Sequence, residues 1–309
     1  MTPTLPEIAS ALRGRVHGSQ VLAPGPNHSA KDRSLSIRLS DTSPDGFVVF
    51  SHAGDDFRAC RDHVASALGL SSDRWRNVAP SDPGEIERRQ EARRKADERE
   101  RAETARLQAR ACAMWNQSGD PRGTAAEAFL NSRGLELPED VAGSVLRFHG
   151  QCPWGGGTTM PAMIAAIRCV ETGRIIGVHR TGLTPEGRKV ERKVFGTAAR
   201  GAIMLDPRET VHDALTAGEG IETSLTARQI GLGPVWSLIS ASNISGLPPL
   251  PGVRHLTILA ERDTAPTRPS ETAFNNVARR WHAADRQVER LWPPDGCGDL
   301  NDAVRRDLA

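Results

Sequence analysis

Hydrophobic positions change their spacing several times along the chain, and each change predicts an element. Pro6 to Leu12 reads as a short helix, followed by a loop bearing Pro, Gly and Asn. Ser34 to Leu39 alternates apolar and polar side chains, Gly46 to Ser51 is a short Phe/Val run, and both predict strands. Asp56 to Leu68 has the spacing of an amphipathic helix, closed by Gly69. Residues 76–83 are rich in Pro, Ser and Asp and predict a linker. Glu85 to Arg110 is almost wholly Glu, Arg and Ala, with opposite charges three or four positions apart. That pattern predicts a solvated helix held by side-chain pairs, and the lack of a 3.5-residue apolar repeat speaks against a coiled coil.

The second half reads differently. Thr124 is placed to cap a helix that Gly134 ends. Pro161 to Val170 and Arg174 to Leu183 predict two strands joined by a Glu-Thr-Gly-Arg turn. From about residue 206, short apolar runs alternate with helical ones: DALTA then IETSLTARQIG, PVWSLIS, HLTILA then ETAFNNVARRWHAAD, QVERLW then DLNDAVRRDL. Strands alternating with helices predict an α/β fold on a parallel sheet. Four segments are expected: a small N-terminal α+β domain (1–75), a linker with the charged helix (76–118), an α+β segment (119–205) and the α/β domain (206–309).

Composition narrows the function. The chain has 309 residues, a net charge of +2, 38% hydrophobic residues and only 4% aromatics, with no Tyr. A nearly balanced charge does not announce nucleic acid, so any basic surface must be local. His179, Arg180, Arg188, Lys189, Arg192 and Lys193 form such a cluster, expected on a hairpin and loop, and Arg and Lys there suit phosphate. A solvated basic loop is the plainer reading. For the charged helix the alternatives are a spacer and a DNA-contacting arm. Five Cys lie far apart without a CxxC pair, so neither a disulfide framework nor a Cys-rich zinc site is expected, and a reducing cytosol fits. There is no signal-peptide pattern and no apolar run of about 18 residues, so a cytoplasmic protein without a membrane span is expected.

The chemistry collects after the predicted strands. DALTA is followed by Gly218-Glu219-Gly220, HLTILA by Glu261-Arg262-Asp263, and QVERLW by a turn holding Asp295, Asp299 and Asp302. In parallel sheets, ligands bind beyond the carboxyl ends of the strands. Carboxylates gathered there repel unless a cation with oxygen preference, Mg²⁺ or Mn²⁺, joins them, and such a metal serves phosphoryl transfer. Helix capping is the alternative role, especially for Asp299 before LNDAV. The glycines flanking Glu219 would let backbone come close to a ligand.

These residues resemble the TOPRIM domain of bacterial primases, topoisomerases and some nucleases. Glu219-Gly220 matches its first element, and Glu261-Arg262-Asp263 its Asp-x-Asp, with Glu261 standing where the family has Asp. GEGIETSLTA, PVWSLISASNI and the late GDLND are similar to primases of phage satellites and plasmids. Upstream, FLNSRGL, RFHG, PAMIAAI and GVHRTGLTPEGRK resemble the segment that precedes TOPRIM in primase cores and forms a basic ledge for template and nucleotide. The N-terminal residues 22–60 resemble a primase zinc-binding domain, but Gly25-Pro26-Asn27-His28 and Ser51-His52-Ala53-Gly54 lack its Cys ligands. His28 and His52 alone cannot close a tetrahedral zinc site, so a packed hairpin without zinc is expected.

The resemblance implies a Mg²⁺-dependent nucleotidyltransferase of a mobile element or plasmid that makes primers on single-stranded DNA from nucleoside triphosphates. It implies Glu219, Glu261 and Asp263 as catalytic and metal-holding residues, Asp299 as a further carboxylate, and Arg180, Arg188, Lys189, Arg192 and Lys193 as nucleotide- and DNA-binding residues. No GxxxxGK[ST] occurs, so a helicase would be a separate partner. A TOPRIM nuclease and a catalytically inactive DNA-binding accessory module are the rivals. The topoisomerase branch needs a Tyr nucleophile, which the chain lacks.

Overall fold

A computed structural model of the chain describes residues 3–40, 43, 45–70, 83–262 and 268–307. It divides into two compact units, 1–98 and 99–309. The expected linker falls mostly on residues 71–82, outside the described residues.

The first unit opens with helix α1 (Leu5–Ala11). Thr4 and Glu7 form a reciprocal capping box at its start: each side chain accepts from the other's backbone N–H. Four antiparallel strands follow in spatial order: β1 (Arg15–His17), β2 (Gln20–Ala23), β3 (Leu35–Leu39) and β4 (Phe47–Ser51). Helix α2 (Phe57–Ala67) starts at Asp56, whose carboxylate accepts from the N–H groups of Arg58 and Ala59. Ile8, Val21, Leu35, Ile37, Phe47, Cys60 and Val64 fill the core. Part of the expected loop before Ser34 is thus a hairpin, β1–β2, turning at Gly18 with φ +58°. Its strands are three and four residues long and β1 is exposed throughout, so no apolar period betrays it.

Helix α3 (Pro83–Gln117) contains the charged stretch, with an ion pair between Lys95 and Glu91 at 2.7 Å. It runs past the expected end at Arg110 because Ala111, Met114 and Trp115, spaced at i, i+3 and i+4, are buried in the core of the second unit. Helix α4 (Ala125–Ser132) is capped by Thr124 and stops at Gly134, φ +70°.

The second unit then runs β5 (Leu146–Gly155), β6 (Thr158–Cys169), β7 (Ile175–Leu183), β8 (Lys189–Gly196), β9 (Gly201–Met204), β10 (Ala214–Gly218), α5 (Ile221–Gln229), β11 (Val235–Ser237), α6 (Ala241–Gly246), β12 (His255–Leu259), α7 (Pro269–His282), β13 (Gln287–Leu291) and α8 (Leu300–Asp307). Its strands form one nine-stranded sheet ordered β13-β12-β10-β11-β9-β6-β7-β8, with β5 added on β6. The first four are parallel, and β9 joins them antiparallel through Trp236 opposite Met204. The α/β domain and the α+β segment before it therefore share a sheet. Strands β5, β8 and β9 are additional to the expected pair. On one face, Met163, Ile167 and Leu183 of the sheet form a core with Phe129 and Leu130 of α4 and Leu225 of α5. On the other face, Trp236 of β11 and Trp281 of α7 are fully buried and donate to the carbonyls of Asp206 and Leu247.

Candidate active site at the carboxyl edge of the sheet

The register of β10 against β12 sets Ala217 beside Ile258, and that of β12 against β13 sets Leu259 beside Leu291. The three strands therefore end together. Glu219 leaves β10 and Glu261 leaves β12 at the same carboxyl edge, both half-buried. The backbone of Glu219 is fixed on its β11 side. Its carbonyl accepts from the Ile239 N–H at 2.9 Å and the Ser237 hydroxyl at 2.8 Å. Ile239 sits at φ +73°, a conformation that costs a β-branched residue of order 1–3 kcal/mol. This strained turn holds the Glu219 carbonyl from the neighbouring strand.

The two flanking glycines serve different ends. A Cβ on Gly218 would stand 2.7 Å from the Ser224 hydroxyl and 3.1 Å from Leu259 Cδ1, so close packing of β10 against α5 and β12 demands its glycine. Gly220 is the N-cap of α5 at φ −84°, and a Cβ there would come no nearer than 3.6 Å to another group. Only Gly220 has the room at its surface that a close ligand approach needs.

Beyond β12, Arg262 turns into the loop after β13. Its N–H donates to the Gly298 carbonyl, and its guanidinium donates to the carbonyls of Cys297 and Pro293 and to Asp295 at 2.9 Å. Its charge is spent on that loop. Asp299 caps α8: its carboxylate accepts from the Asp302 N–H at 2.9 Å, while the Asp302 carboxylate accepts from the Gly298 N–H. Asp263 lies outside the described residues. Among the described residues no three His, Cys, Asp or Glu side chains are grouped to hold a metal ion. Glu219 and Glu261 supply oxygen donors of the kind Mg²⁺ prefers, on adjacent strand ends, and a complete set would need Asp263.

The basic cluster lies on β7 and β8, and strand alternation splits it between two faces. Arg180 pairs across the hairpin with Lys193, and Thr181 with Arg192. Arg180 is buried, 5.1 Å from the Trp154 ring and 5.4 Å from Phe195; Lys193 lies 5.2 Å from Trp154 and pairs with Glu191. These two belong to the α3 side. Lys189 and Arg192 belong to the α5 side, where Lys189 Nζ meets Glu222 Oε1 at 3.3 Å. A bulge at Val190, the unpaired residue between Lys189 and Glu191, brings Lys189 to that face. Arg192 is exposed and has no hydrogen-bond or ion-pair partner among the described residues. Arg188 is exposed near Glu186.

Glu222 and His179 complete this face, and sequence reasoning gave Glu222 no role and His179 only basic character. Glu222 is buried in the first turn of α5, three residues after Glu219. Burial works against its charge, but its own backbone N–H and the nearby Lys189 and Arg192 prevail and hold its carboxyl below the usual range. His179 is buried, and its Nδ1 has no partner. Desolvation first, then Arg192 and Lys189, bring its pKa down to about 4, so it is neutral at physiological pH. Glu222, Lys189 and Arg192 thus meet at the first turn of α5, three residues after Glu219. The spacing Glu219-x-x-Glu222 was the available signal: with Gly220 as cap, it sets the second acid in the first helical turn.

In the first unit, the two loops that stand where the resembled domain has its zinc knuckles are tied by side chains. His28 Nδ1 lies 2.9 Å from Asp32 and its Nε2 3.1 Å from Asp55. Asp55 also accepts from the Ser51 hydroxyl at 2.8 Å, and Asp32 from the N–H groups of Gly25 and Ser34. A ring with a carboxylate at each nitrogen is best satisfied when both nitrogens carry protons, and hydrogen bonding to Asp32 first of all raises its pKa.

Residues 214–309 match the Toprim domain, and residues 105–205 match a domain of unknown function, DUF7146. No curated protein matches the chain. Among solved structures, a DNA primase domain from Pseudomonas aeruginosa is similar, at 17% identity and TM-score 0.47, over 65% of this chain and 75% of that one. The primase fragment of the bacteriophage T7 primase-helicase protein is 13% identical, TM-score 0.41, over 95% and 96%. The RNA polymerase domain of Mycobacterium tuberculosis primase DnaG is 15% identical, TM-score 0.42, over 66% and 82%. No helix among the described residues is long and apolar enough to cross a membrane.

Proposed function

We propose that this chain, whose C-terminal third is a Toprim domain, is a primase-like nucleotidyltransferase that joins nucleoside triphosphates on a single-stranded DNA template. The supporting observation is the meeting of two charge types at one place. Glu219 and Glu261 leave adjacent strands at the carboxyl edge, and Lys189 and Arg192 reach the first turn of the helix that follows Glu219. Acids alone would fit a cap, and cations alone a solvated surface. Together they fit a phosphate chain bridged to carboxylates.

A divalent cation held by Glu219, Glu261 and Asp263 would neutralise the phosphates and orient them. The chain's own groups do the rest. Arg192 binds phosphate oxygens through its planar fork, and Lys189 supplies a point charge. Glu222 holds Lys189 over the site before phosphate arrives. Glu219, its carbonyl pinned by Ile239 and Ser237, presents its carboxylate to the attacking hydroxyl and accepts its proton. His179, neutral beside Lys189 and Arg192, adds no charge of its own to their field. A plasmid or mobile element as source, with a separate helicase, fits the same reading.

Primer synthesis on single-stranded DNA with Mg²⁺ or Mn²⁺ tests it. Glu219→Gln is expected to lower synthesis by roughly 10²–10⁴-fold, the span of a missing acid–base group, while strand binding persists. Lys189→Ala with Arg192→Ala is expected to weaken binding and flatten its salt dependence by about one unit for each phosphate no longer neutralised. Metal-dependent cutting without synthesis would make the chain a nuclease. Binding without either activity would make it an accessory module.

A further inference from the structure

Three of the chain's tryptophans give their indole N–H to a fixed acceptor: Trp154 to Glu191, Trp236 to the Asp206 carbonyl and Trp281 to the Leu247 carbonyl. Trp292 does not. It follows β13, the edge strand of the sheet, remains 49% exposed, and meets no hydrogen-bond acceptor among the described residues. The fold gains little from a large ring placed half in water, so its use lies elsewhere.

Its surroundings show a pattern. The Arg290 guanidinium lies 3.8 Å from the Phe274 ring and 5.0 Å from Trp292, and Arg262 lies 5.9 Å from Trp292 on the loop side. Rings and guanidinium groups alternate in the order Phe274, Arg290, Trp292, Arg262, from α7 across β13 to the loop after β12. The row ends beside Glu261. The Ala260 N–H donates to the Leu291 carbonyl, so Trp292 leaves the sheet level with the residue before Glu261. Arg262, bonded to Pro293, Asp295 and Cys297, holds the loop that carries the ring, so Trp292 is positioned before any ligand arrives.

We infer that Trp292 stacks a base of a single-stranded nucleic acid crossing the end of β13 at the carboxyl edge. Exposed aromatics take any base by its π-face, and guanidinium planes beside them extend the stacking surface. The row is longer than one base and crosses the end of β13, the edge strand. A strand therefore fits it better than a mononucleotide, which would need one ring and an enclosing pocket. This inference rests on the nucleic-acid reading of the carboxyl edge and assigns to it a path for the template.

Anisotropy with a labelled oligothymidylate and its abasic counterpart of equal length tests the assignment, with Trp292→Leu and Trp292→Phe in the full chain. Trp292→Leu is expected to weaken binding of the normal strand about tenfold, to leave abasic binding unchanged, and to be rescued by Trp292→Phe. Equal binding of Trp292→Leu and wild type on the normal strand overturns the inference. So does an equal loss on both strands, which marks a structural role, or a loss confined to mononucleotide binding. Failure of the wild type to bind either strand would instead overturn the reading on which it rests. Thermal melting confirms that each variant folds.

Discussion

Gly218 shows how one missing side chain shapes the carboxyl edge. Its Cα faces the Ser224 hydroxyl of α5 on one side and Leu259 of β12 on the other, at separations that leave no room for a methyl group. Gly218→Ala must therefore displace the Ser224 hydroxyl and crowd Leu259, at a cost of about 1–3 kcal/mol in unfolding free energy by urea titration. Because the first obstacle is the Ser224 oxygen, Gly218→Ala is expected to cost less in a Ser224→Ala background. Strict additivity of the two changes would sink this account. The same residue reasoning explains Glu222. A buried carboxylate is normally pushed toward its neutral form, and here the first-turn backbone and two cations reverse that. Its neighbour Thr226, also buried, donates to the Glu222 carbonyl and accepts from the fully buried Asn301 of α8. The polar letters of IETSLTA thus pack against polar partners and not against water.

Elements explain which parts of the sequence could be read. DALTA, HLTILA and QVERLW were legible as β10, β12 and β13 because each is a short apolar run followed by a helix signal. Their acids share an edge because parallel strands in register end together. Strand β8 was not legible: KVERKVFG carries a charge at nearly every other position, as exposed edge strands do, and reads as a loop. Missing it hid the split of the basic cluster, since only a strand sends Lys193 and Arg192 to opposite faces. The β1–β2 hairpin was too short to show a period. Helix α8 offers a direct separation of capping from charge. Asn caps a helix about as well as Asp, so Asp299→Asn is expected to leave the melting temperature within a degree or two, whereas Asp299→Ala costs about 1 kcal/mol. If primer synthesis also survives Asp299→Asn, the residue is a cap alone. If synthesis collapses while stability holds, its charge serves the site.

At the scale of the whole molecule, the two units carry histidines with opposite linkage to pH. His28 in the first unit has its pKa raised above the usual 6.5, first by its hydrogen bond to Asp32. The native state holds that proton more tightly than the unfolded chain does. Its contribution is fully present below pH 6.5 and is lost as pH rises through the raised folded value. Asp32 has its pKa lowered, first by the Ser34 hydroxyl, so its contribution is present above pH 3.8 and fades as pH falls below that. His179 in the second unit behaves in the reverse sense to His28. Its folded pKa of about 4 means that the unfolded chain gains a proton first, so stability falls as pH drops from 6.5 toward 4. A shift of that size corresponds to on the order of 3 kcal/mol. Hydrogen exchange on the full chain, followed by peptides from residues 1–70 and 99–309, should therefore show the first unit loosening as pH rises above neutrality. The second unit should loosen as pH falls from 6.5 to 4 once the intrinsic exchange rate is divided out. His28→Gln is expected to flatten the first trend and His179→Gln the second, each without altering the other. A common pH profile for both units, unmoved by either substitution, would show that the stability of the chain is governed by neither histidine.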